Sequence, residues 1–200
     1  MRKAVQQRTL ETRARLTEVA QALVTEKGFE ALRIDEVVQR AGVAKGTFFA
    51  HFNDKDELMD LLIGERINAQ LDRMSAAAPP RNAEQLARRL MPLLELMASE
   101  RYVFDVILRR SGAAAMEEIG PIATTFERMG QVWGPWLATG DFRRDVSVEL
   151  LVEGLQALVV QTLALHFCAL HQHKPMKDRL LPYLRAWLGP FSAGPAPMPL

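Results

Sequence analysis

Apolar residues recur every three or four positions along almost the whole chain, which is the spacing of one face of an α-helix. In the first such segment the apolar stripe consists of Leu16, Val19, Ala20, Leu23 and Val24. Almost no stretch alternates with a period of two, so the pattern predicts an all-α protein of about nine helices. We expect them at residues 9–27, 34–40, a short segment ending at Phe52, then 53–75, 82–99, 101–111, 117–138, 146–171 and 177–188.

Glycines, prolines and capping residues mark the ends of these helices. Gly28 predicts the end of the first helix, because glycine readily adopts the left-handed cap conformation. Asn53 followed by Asp56 predicts the capped start of the fourth helix. Pro79 and Pro80 cannot both lie inside a helix and therefore predict a break after the fourth helix. Further prolines predict kinks or split helices at Pro92, Pro121, Pro135 and Pro182.

The distribution of charge differs from the total charge. The 200 residues carry a formal net charge of only +1, so the whole chain gives no indication of nucleic-acid binding. The N-terminal segment is basic, with Arg2, Lys3, Arg8, Arg13 and Arg15 against the single acid Glu11. Such a segment is either a solvated tail or a basic arm, and the charge alone does not decide between them.

Cysteine content and hydropathy bear on the cellular location. Cys168 is the single cysteine, so no internal disulfide is possible and a reducing cytoplasm suits the chain. No signal peptide is visible at the N-terminus, and we expect a cytoplasmic protein. The uncharged run 154–173 is long enough to span a membrane, but glutamines and histidines interrupt it. Because such polar groups are costly in lipid, we expect a helix covered by protein on both sides and no membrane partner.

The stretch "RAGVAKGTFFAHF", residues 40–52, has an unusual composition for a helical protein. It predicts the end of one helix, a tight turn containing glycine and then a very short helix, which is a helix-turn-helix. In that motif the second helix enters the major groove of DNA with its N-terminal residues forward. Phe48 and Phe52 are four residues apart and can anchor the short helix, while Lys45 and Thr47 face outward. Gly46 removes a side chain where the backbone can approach DNA closely.

Residues 13–58 resemble the DNA-binding domain of the TetR family of bacterial transcriptional repressors. The resemblance is carried by "EKGFEAL", "IDEVVQRAGVAKGTFFAHF" and "DKDEL", which match in fixed register without a gap. It covers about a quarter of the chain. The remainder resembles the family only in being all-helical and of suitable length.

The resemblance implies roles for individual residues. Lys45 and Thr47 align with positions that touch bases or phosphates, and His51 and Lys55 align with positions that grip the phosphate backbone. Phe49 aligns with a position that is usually tyrosine; because phenylalanine has no hydroxyl to donate, that phosphate contact is weaker or absent here. The residues expected at the DNA interface are Arg33, Ala44, Lys45, Gly46, Thr47, Phe49, His51 and Lys55.

Two of these residues depart from the family pattern at the starts of helices. Arg33 and Ala44 replace residues that usually cap the second and third helices with a hydroxyl, and losing such a cap costs about 1 kcal/mol. Arg33 and Lys45 also place positive charge at the positive end of a helix dipole. A bound DNA phosphate would make that positive charge favourable. The alternative is that both side chains face solvent and have no role at these positions.

The resemblance further implies a cavity for a small apolar or amphipathic effector in the later helices. Aromatic residues expected to line it are Tyr102, Phe104, Phe126, Trp133 and Trp136. A polar stripe formed by Glu149, Glu153 and Gln156 faces either solvent or this cavity, and we favour solvent.

The eighth predicted helix is apolar on nearly every side, although a two-layer domain requires only one apolar stripe. We therefore expect its surplus face, with the last helix, to form a homodimer interface, as the family resemblance also implies. The residues expected there are Leu155, Leu158, Val159, Leu163, Leu184 and Trp187.

Other chemistry receives little support from the sequence. His166, His171 and His173 lie near Cys168, but no Cys or His pair has zinc-finger spacing, so we expect no metal. Cys168 as a nucleophile would need a base beside it, and His166 faces another side of the helix. No phosphate-binding glycine loop or nucleophile elbow is present, so we expect neither an enzyme nor a cofactor.

These observations predict a ligand-responsive repressor that binds palindromic operator DNA as a homodimer and is released by a small effector. We expect a DNA-binding domain at residues 1–53, an effector-binding and dimerisation domain at 54–189, and a disordered tail at 190–200. Two alternatives remain open at this point. One is a helical ligand-binding or scaffold protein with little DNA affinity, and the other is an activator of the same fold.

Overall fold

A computed structural model describes residues 2–111 and 119–189, with side chains described from residue 6 onward. These residues form helices and no strands. The helices are α1 (Arg2–Lys27), α2 (Ile34–Ala41), α3 (Lys45–Phe49), α4 (Lys55–Ser75), α5 (Ala83–Met97), α6 (Arg101–Arg110), α7 (Pro121–Thr139), α8 (Val148–His166) and α9 (Met176–Leu188). The predicted all-α fold with about nine helices is confirmed over this part of the chain.

Several helix bounds differ from the predicted ones. Helix α1 begins at Arg2 and not near residue 9, because the basic N-terminal segment is rich in good helix formers. Helix α8 ends at His166, where the backbone N–H groups of His171 and Gln172 both turn back to the carbonyl of Cys168. The predicted start of α7 and the predicted disordered tail both lie outside the described residues.

Kinks or split helices were predicted at the internal prolines, and the structure excludes the splits. Pro92, Pro135 and Pro182 each lie inside a continuous helix. A proline removes one intrahelical hydrogen bond, but burial on both sides can hold the helix together. In α5, for example, Leu90 and Leu93 on either side of Pro92 are fully buried.

The start of α4 also differs from the predicted cap. Asp54, not Asn53, caps the helix, because its Oδ1 accepts a hydrogen bond of 2.7 Å from the backbone N–H of Glu57. The Glu57 carboxylate in turn accepts a 2.7 Å bond from the N–H of Asn53. This resembles a capping box shifted by one residue, with Glu57 in the place expected for Asp56, but the carboxylate bonds the N–H of Asn53 and not that of the capping residue Asp54.

The described residues fall into two compact units. The first lies within Met1–Ile67 and Ser99–Thr124, and the second within Asn68–Ala98 and Thr125–Leu200. Helices α4 and α7 each contribute residues to both units. The functional division expected at residues 53 and 54 stays a prediction.

The first unit holds the N-terminal helices together through contacts made far along the chain. Gly28 ends α1 with a φ of 88°, so a side chain here would be strained. The carboxylate of Glu100, just before α6, accepts bonds of 2.7 and 2.8 Å from the N–H groups of Phe29 and Glu30. These two bonds fix the connection between α1 and α2.

The second unit packs α5, α8 and α9 against one another. Its buried residues include Leu90, Trp133, Leu155 and Leu184, each with no exposed surface. By length and composition alone, α8 is the described helix that is apolar enough to cross a membrane. The same properties suit a core helix of a soluble protein, and α8 exposes Glu153.

Candidate nucleic-acid interface

Helices α2 and α3 form the predicted helix-turn-helix. Gly42 caps α2 in the left-handed conformation with a φ of 65°, which favours glycine over any other residue. Its N–H turns back to the carbonyls of Val38 and Gln39, and the N–H of Val43 bonds the carbonyl of Val38 at 3.0 Å. The chain is thereby redirected within three residues, and α3 starts at Lys45.

Two phenylalanines anchor the short helix α3, as predicted. Phe48 is fully buried, Phe52 is 1% exposed, and their ring centroids lie 5.3 Å apart. The guanidinium of Arg13 on α1 lies 4.2 Å from the centroid of the Phe52 ring. Packing from α1 therefore holds a helix that is too short to be stable alone.

The other side of α3 is open. Phe49 is 48% exposed and meets only the edge of the Phe48 ring among the described aromatic contacts. Ala44, Lys45 and Gly46 are also exposed, while Thr47 is half-buried. A Cβ built on Gly46 would meet no atom within 4 Å, so packing within the protein does not require glycine there.

Lys45 is exposed, as expected, but it has a partner that the sequence analysis missed. Its Nζ lies 2.6 Å from Oδ1 of Asp35 on α2, and both side chains are largely exposed. An exposed ion pair of this kind contributes about 0–1 kcal/mol to the stability of the fold. It nevertheless places a carboxylate beside the cation expected to meet DNA. The spacing of ten residues across the turn gave no indication of this pair.

Arg33 and Lys55 lie together around the carbonyl of Glu30. The Arg33 guanidinium donates to this oxygen at 2.9 Å and the Lys55 ammonium at 3.3 Å. Desolvation lowers the pKa of Lys55, and the neighbouring charge of Arg33 lowers it further. Neither residue forms an ion pair with a carboxylate in the described part of the chain. The two cations therefore make a site at the start of α2 where an anion would be favoured.

Tyr102 borders this cationic pair, although it was expected in an effector pocket. The Lys55 ammonium lies 4.6 Å from the centroid of its ring. The phenol donates a 3.1 Å hydrogen bond to Oδ1 of Asp56, whose other oxygen accepts from Arg109. Burial and the nearby Asp56 raise the pKa of Tyr102 far above its usual value. Tyr102 thus holds Lys55 in position from α6.

His51 lies at the end of the motif and is half-buried. Its backbone carbonyl accepts a hydrogen bond from the Arg13 guanidinium, which also lies 3.7 Å from Glu57. The two missing caps are confirmed, because neither Arg33 nor Ala44 forms a side-chain cap hydrogen bond.

The five aromatic residues expected in the effector pocket do not belong to one unit. Tyr102 and Phe104 lie in the first unit, whereas Phe126, Trp133 and Trp136 lie in the second. Trp133 is fully buried, and its indole Nε1 has no hydrogen-bond partner. A buried donor without an acceptor is energetically unfavourable.

The polar stripe on α8 divides between solvent and protein. Glu149 and Glu153 are exposed, as favoured from the sequence. Gln156 turns inward, and its amide donates a 2.7 Å hydrogen bond to the carbonyl of Phe126 on α7. Because Gln156 ties α8 to α7, the expectation of a solvent-facing stripe needs correction at this residue.

The expected dimer interface also needs correction. Leu155, Val159, Leu163 and Leu184 are at most 1% exposed in a single chain, so they have no surface to offer a second copy. They form the core between α8, α9 and α5 because α9 packs across α8. The two remaining residues, Leu158 and Trp187, are half-exposed.

One histidine near Cys168 contacts it, which the sequence spacing of these residues did not predict. The Cys168 sulfur lies 3.2 Å from Nδ1 of His171, because the chain turns after α8. Within the described residues, no group of three or more histidine, cysteine or acidic side chains could hold a metal ion.

Comparison with known proteins finds a family match at the helix-turn-helix. The sequence model described as "Bacterial regulatory proteins, tetR family" matches residues 16–62, which contain the helix-turn-helix. The HTH-type transcriptional repressor BepR of Brucella suis biovar 1 (strain 1330) is 28% identical over 134 residues. That match spans 64% of this chain and 62% of BepR, so the chain covers less than two thirds of the repressor's length.

Solved structures share the fold over nearly the whole chain. The FadR repressor of Thermus thermophilus, in complex with lauroyl-CoA, has a TM-score of 0.65 at 21% identity and covers 94% of this chain and 98% of its own. RolR in complex with resorcinol has a TM-score of 0.59 at 22% identity, covering 90% and 89%. At these identities the structural likeness establishes the fold alone. The family match therefore identifies residues 16–62 as the DNA-binding segment typical of tetR-family bacterial regulatory proteins, and the solved structures show that the chain as a whole shares their fold.

Proposed function

We propose that this chain is a cytoplasmic repressor that binds palindromic operator DNA as a homodimer and releases it when a small effector binds. The observation that carries the proposal is the cationic surface of the helix-turn-helix. Lys45 is the first residue of α3 and is exposed. Arg33 and Lys55 both donate to the carbonyl of Glu30, just before α2. Operator recognition requires two kinds of contact. Contacts to phosphates position the protein regardless of sequence, and contacts from a helix to base edges specify the sequence.

The residues divide between these two parts. Lys45, Thr47 and Phe49 lie on the side of α3 that Phe48 does not anchor, so they are placed to meet base edges or a thymine methyl group. Arg33 and Lys55 surround a backbone carbonyl and not a carboxylate. A DNA phosphate at this point would gain two charge-assisted hydrogen bonds without first breaking an ion pair.

Dimerisation is supported by one face of α8. Leu150 is 44% exposed, and Leu158 and Leu165, on the same side of the helix, are half-exposed. A second copy placed on this face about a two-fold axis would bury these leucines. The same axis would set two α3 helices about 34–36 Å apart, one turn of DNA.

Effector binding is supported by the core of the second unit. The unpartnered indole N–H of Trp133 would be satisfied by an acceptor on an otherwise apolar molecule. FadR of Thermus thermophilus and RolR hold lauroyl-CoA and resorcinol, which each combine an apolar part with oxygen atoms. An effector that binds better to a form with mis-spaced α3 helices would shift the population away from the DNA-binding form.

Salt-dependent binding to duplex DNA tests the proposal. The duplex is selected from a random library by the wild-type protein, and affinity is measured by fluorescence anisotropy at several salt concentrations. Lys45→Ala, His51→Ala and Lys55→Ala should each weaken binding. If Lys55 contacts only phosphate, its loss lowers affinity evenly across sequences and reduces the salt slope by about one unit.

Lys174→Ala removes the same charge from an exposed position in the second unit and serves as the matched control. It should leave both the affinity and the salt slope unchanged. Unchanged affinity in all three helix-turn-helix variants would refute the proposed DNA surface. A promoter–reporter assay then separates a repressor from an activator of the same fold.

A further inference from the structure

A cavity of about 470 Å³ lies in the second unit, between the end of α4 and helix α5. The turn that carries Pro79 and Pro80 closes one side of it. Met74 and Pro92 complete an apolar wall, and Met74 is only 2% exposed. The volume falls in the range of small-molecule sites, and none of the aromatic residues expected in the effector pocket lines it.

Three arginines line the same cavity, and none of the described residues that line it is acidic. Arg73 donates through Nε and Nη2 to the amide oxygen of Gln70, at 3.0 and 2.7 Å. Arg89 donates to the backbone carbonyl of Ala78 at 3.0 Å. Arg88 has no hydrogen-bond or ion-pair partner in the described part of the chain. The described partners of Arg73 and Arg89 are neutral, so no described carboxylate pairs with the three positive charges at this cavity.

The acid one turn before Arg88 on α5 already has a partner of its own. Glu84 lies one turn before Arg88 on α5, but its carboxylate is held by Arg185 on α9 at 2.7 Å. That hydrogen bond from Arg185 is the main cause of the lowered pKa of Glu84, and the charge of Arg88 adds only a small contribution. Arg88 is therefore free to meet an anion from outside the chain.

Neutral donors add to the arginines. Gln70 is nine-tenths buried, and its oxygen is occupied by Arg73, so its amide nitrogen is left to donate. The side-chain oxygen of Gln85 accepts a 2.9 Å hydrogen bond from the backbone N–H of Arg81. The amide nitrogen of Gln85 is therefore also left to donate. Neither amide nitrogen has an acceptor among the described residues. The cavity thus presents donors in excess and requires a ligand rich in acceptors.

These features point to one ligand chemistry. A carboxylate offers two oxygens and one negative charge, whereas a phosphoryl group offers three oxygens and up to two charges near neutral pH. Guanidinium groups match phosphoryl oxygens in geometry as well as in charge. We propose that this cavity binds the phosphoryl group of a small molecule whose apolar part lies against Pro79, Pro80 and Pro92. The site goes beyond the proposed repressor function and does not depend on it.

Calorimetric titration of the full chain tests this proposal, with phenyl phosphate, inorganic phosphate and benzoate as probes. We expect phenyl phosphate to bind at least tenfold more tightly than benzoate, which has the ring but a carboxylate head. Inorganic phosphate should compete with it. Affinity should fall as the pH is lowered through about 6, where a phosphate monoester loses its second charge.

Variants assign the binding to the cavity. The combined change Arg73→Gln, Arg88→Gln and Arg89→Gln should weaken phenyl phosphate at least tenfold. Arg88→Gln alone should weaken it several-fold without disturbing the fold, because Arg88 has no intramolecular bond to lose among the described residues. Arg81→Gln removes the same charge from an arginine that pairs with Asp141 outside the cavity, and it should bind like the wild type.

A vesicle-binding measurement identifies the source of the phosphoryl group, and three results would contradict the proposal. Vesicles containing phosphatidic acid that bind the wild type but not the triple variant would support phosphoryl recognition of a lipid headgroup. No binding of any phosphoryl probe by the folded protein, or equal binding by the triple variant, would overturn the proposal. So would a triple variant that loses affinity for duplex DNA but keeps phenyl phosphate. Since DNA binding is measured separately, failure here leaves the repressor proposal standing.

Discussion

Gly46 offers a way to separate folding from DNA recognition in this protein. It is the second residue of α3, and its φ is not among the positive values found for glycines in the described chain. A methyl group added here would meet no protein atom within 4 Å. The protein therefore has no internal reason to keep glycine, and the expected close approach of DNA is the remaining one.

The stability change expected for Gly46→Ala follows from these facts. Replacing glycine by alanine in a helix stabilises the folded state by about 0.5–1 kcal/mol, partly by restricting the unfolded chain. For a chain of this length that corresponds to a rise in thermal midpoint of roughly 1–4 °C. Gly42→Ala is the contrasting variant. Its φ of 65° costs a side chain roughly 1–2 kcal/mol, so its midpoint should fall.

DNA affinity should move in the opposite direction from stability at Gly46. The new methyl group occupies the surface where the backbone of α3 is expected to approach the duplex. We expect a loss of at least tenfold in affinity, equivalent to about 1.4 kcal/mol, by fluorescence anisotropy with the selected duplex. A variant that melts higher than the wild type and still binds DNA with unchanged affinity would refute the close approach at Gly46.

The remaining predictions concern the ion pair of Lys45 with Asp35, the buried acid Asp60 and the dimer. Asp35→Asn removes the partner of Lys45 at 2.6 Å, so DNA affinity should rise several-fold in anisotropy while stability changes by less than about 0.5 kcal/mol; weaker binding would show that Asp35 positions Lys45. Asp60 is 3% exposed and accepts a 2.8 Å bond from the N–H of Ile122, and burial raises its pKa. Because the folded state holds this proton more tightly than the unfolded state, its stabilising contribution is complete below the unfolded pKa and is lost as the pH rises through the folded one. Urea unfolding across this window should show the wild type losing stability relative to Asp60→Asn, and a flat difference would contradict the assignment. Leu158→Arg on the half-exposed face of α8 should give a folded monomer with little DNA affinity in sedimentation and anisotropy, and a stable dimer would place the interface elsewhere.

The helix-turn-helix was predictable because every signal that specifies it is local. Gly42 permits the left-handed turn, and Phe48 and Phe52 are spaced to anchor one side of α3. These residues lie within eleven positions of one another, so the sequence order already contains their spatial order. The family motif adds a fixed register, which is why the exposed positions of Lys45 and Phe49 also followed from the sequence.

The faces of α8 were not predictable for the opposite reason. A helix that is apolar nearly all round carries no periodic signal to distinguish its core side from its outer side. The packing of α9 across α8 decides this, burying Leu155, Val159 and Leu163 within one chain and leaving Leu158 half-exposed. The residues expected to meet a second copy therefore proved to be largely core residues.

The sequence by itself determined the helical class, most helix positions and the helix-turn-helix, since all of these depend on residues a few positions apart. Only the tertiary structure decided which distant groups meet. Glu100 holds the turn after α1, and Tyr102 supports Lys55 from α6. Three arginines on α4 and α5 line one cavity, and no acid is among its described lining residues. Such meetings depend on how helices pack across tens of residues, and no short-range pattern in the chain records that packing.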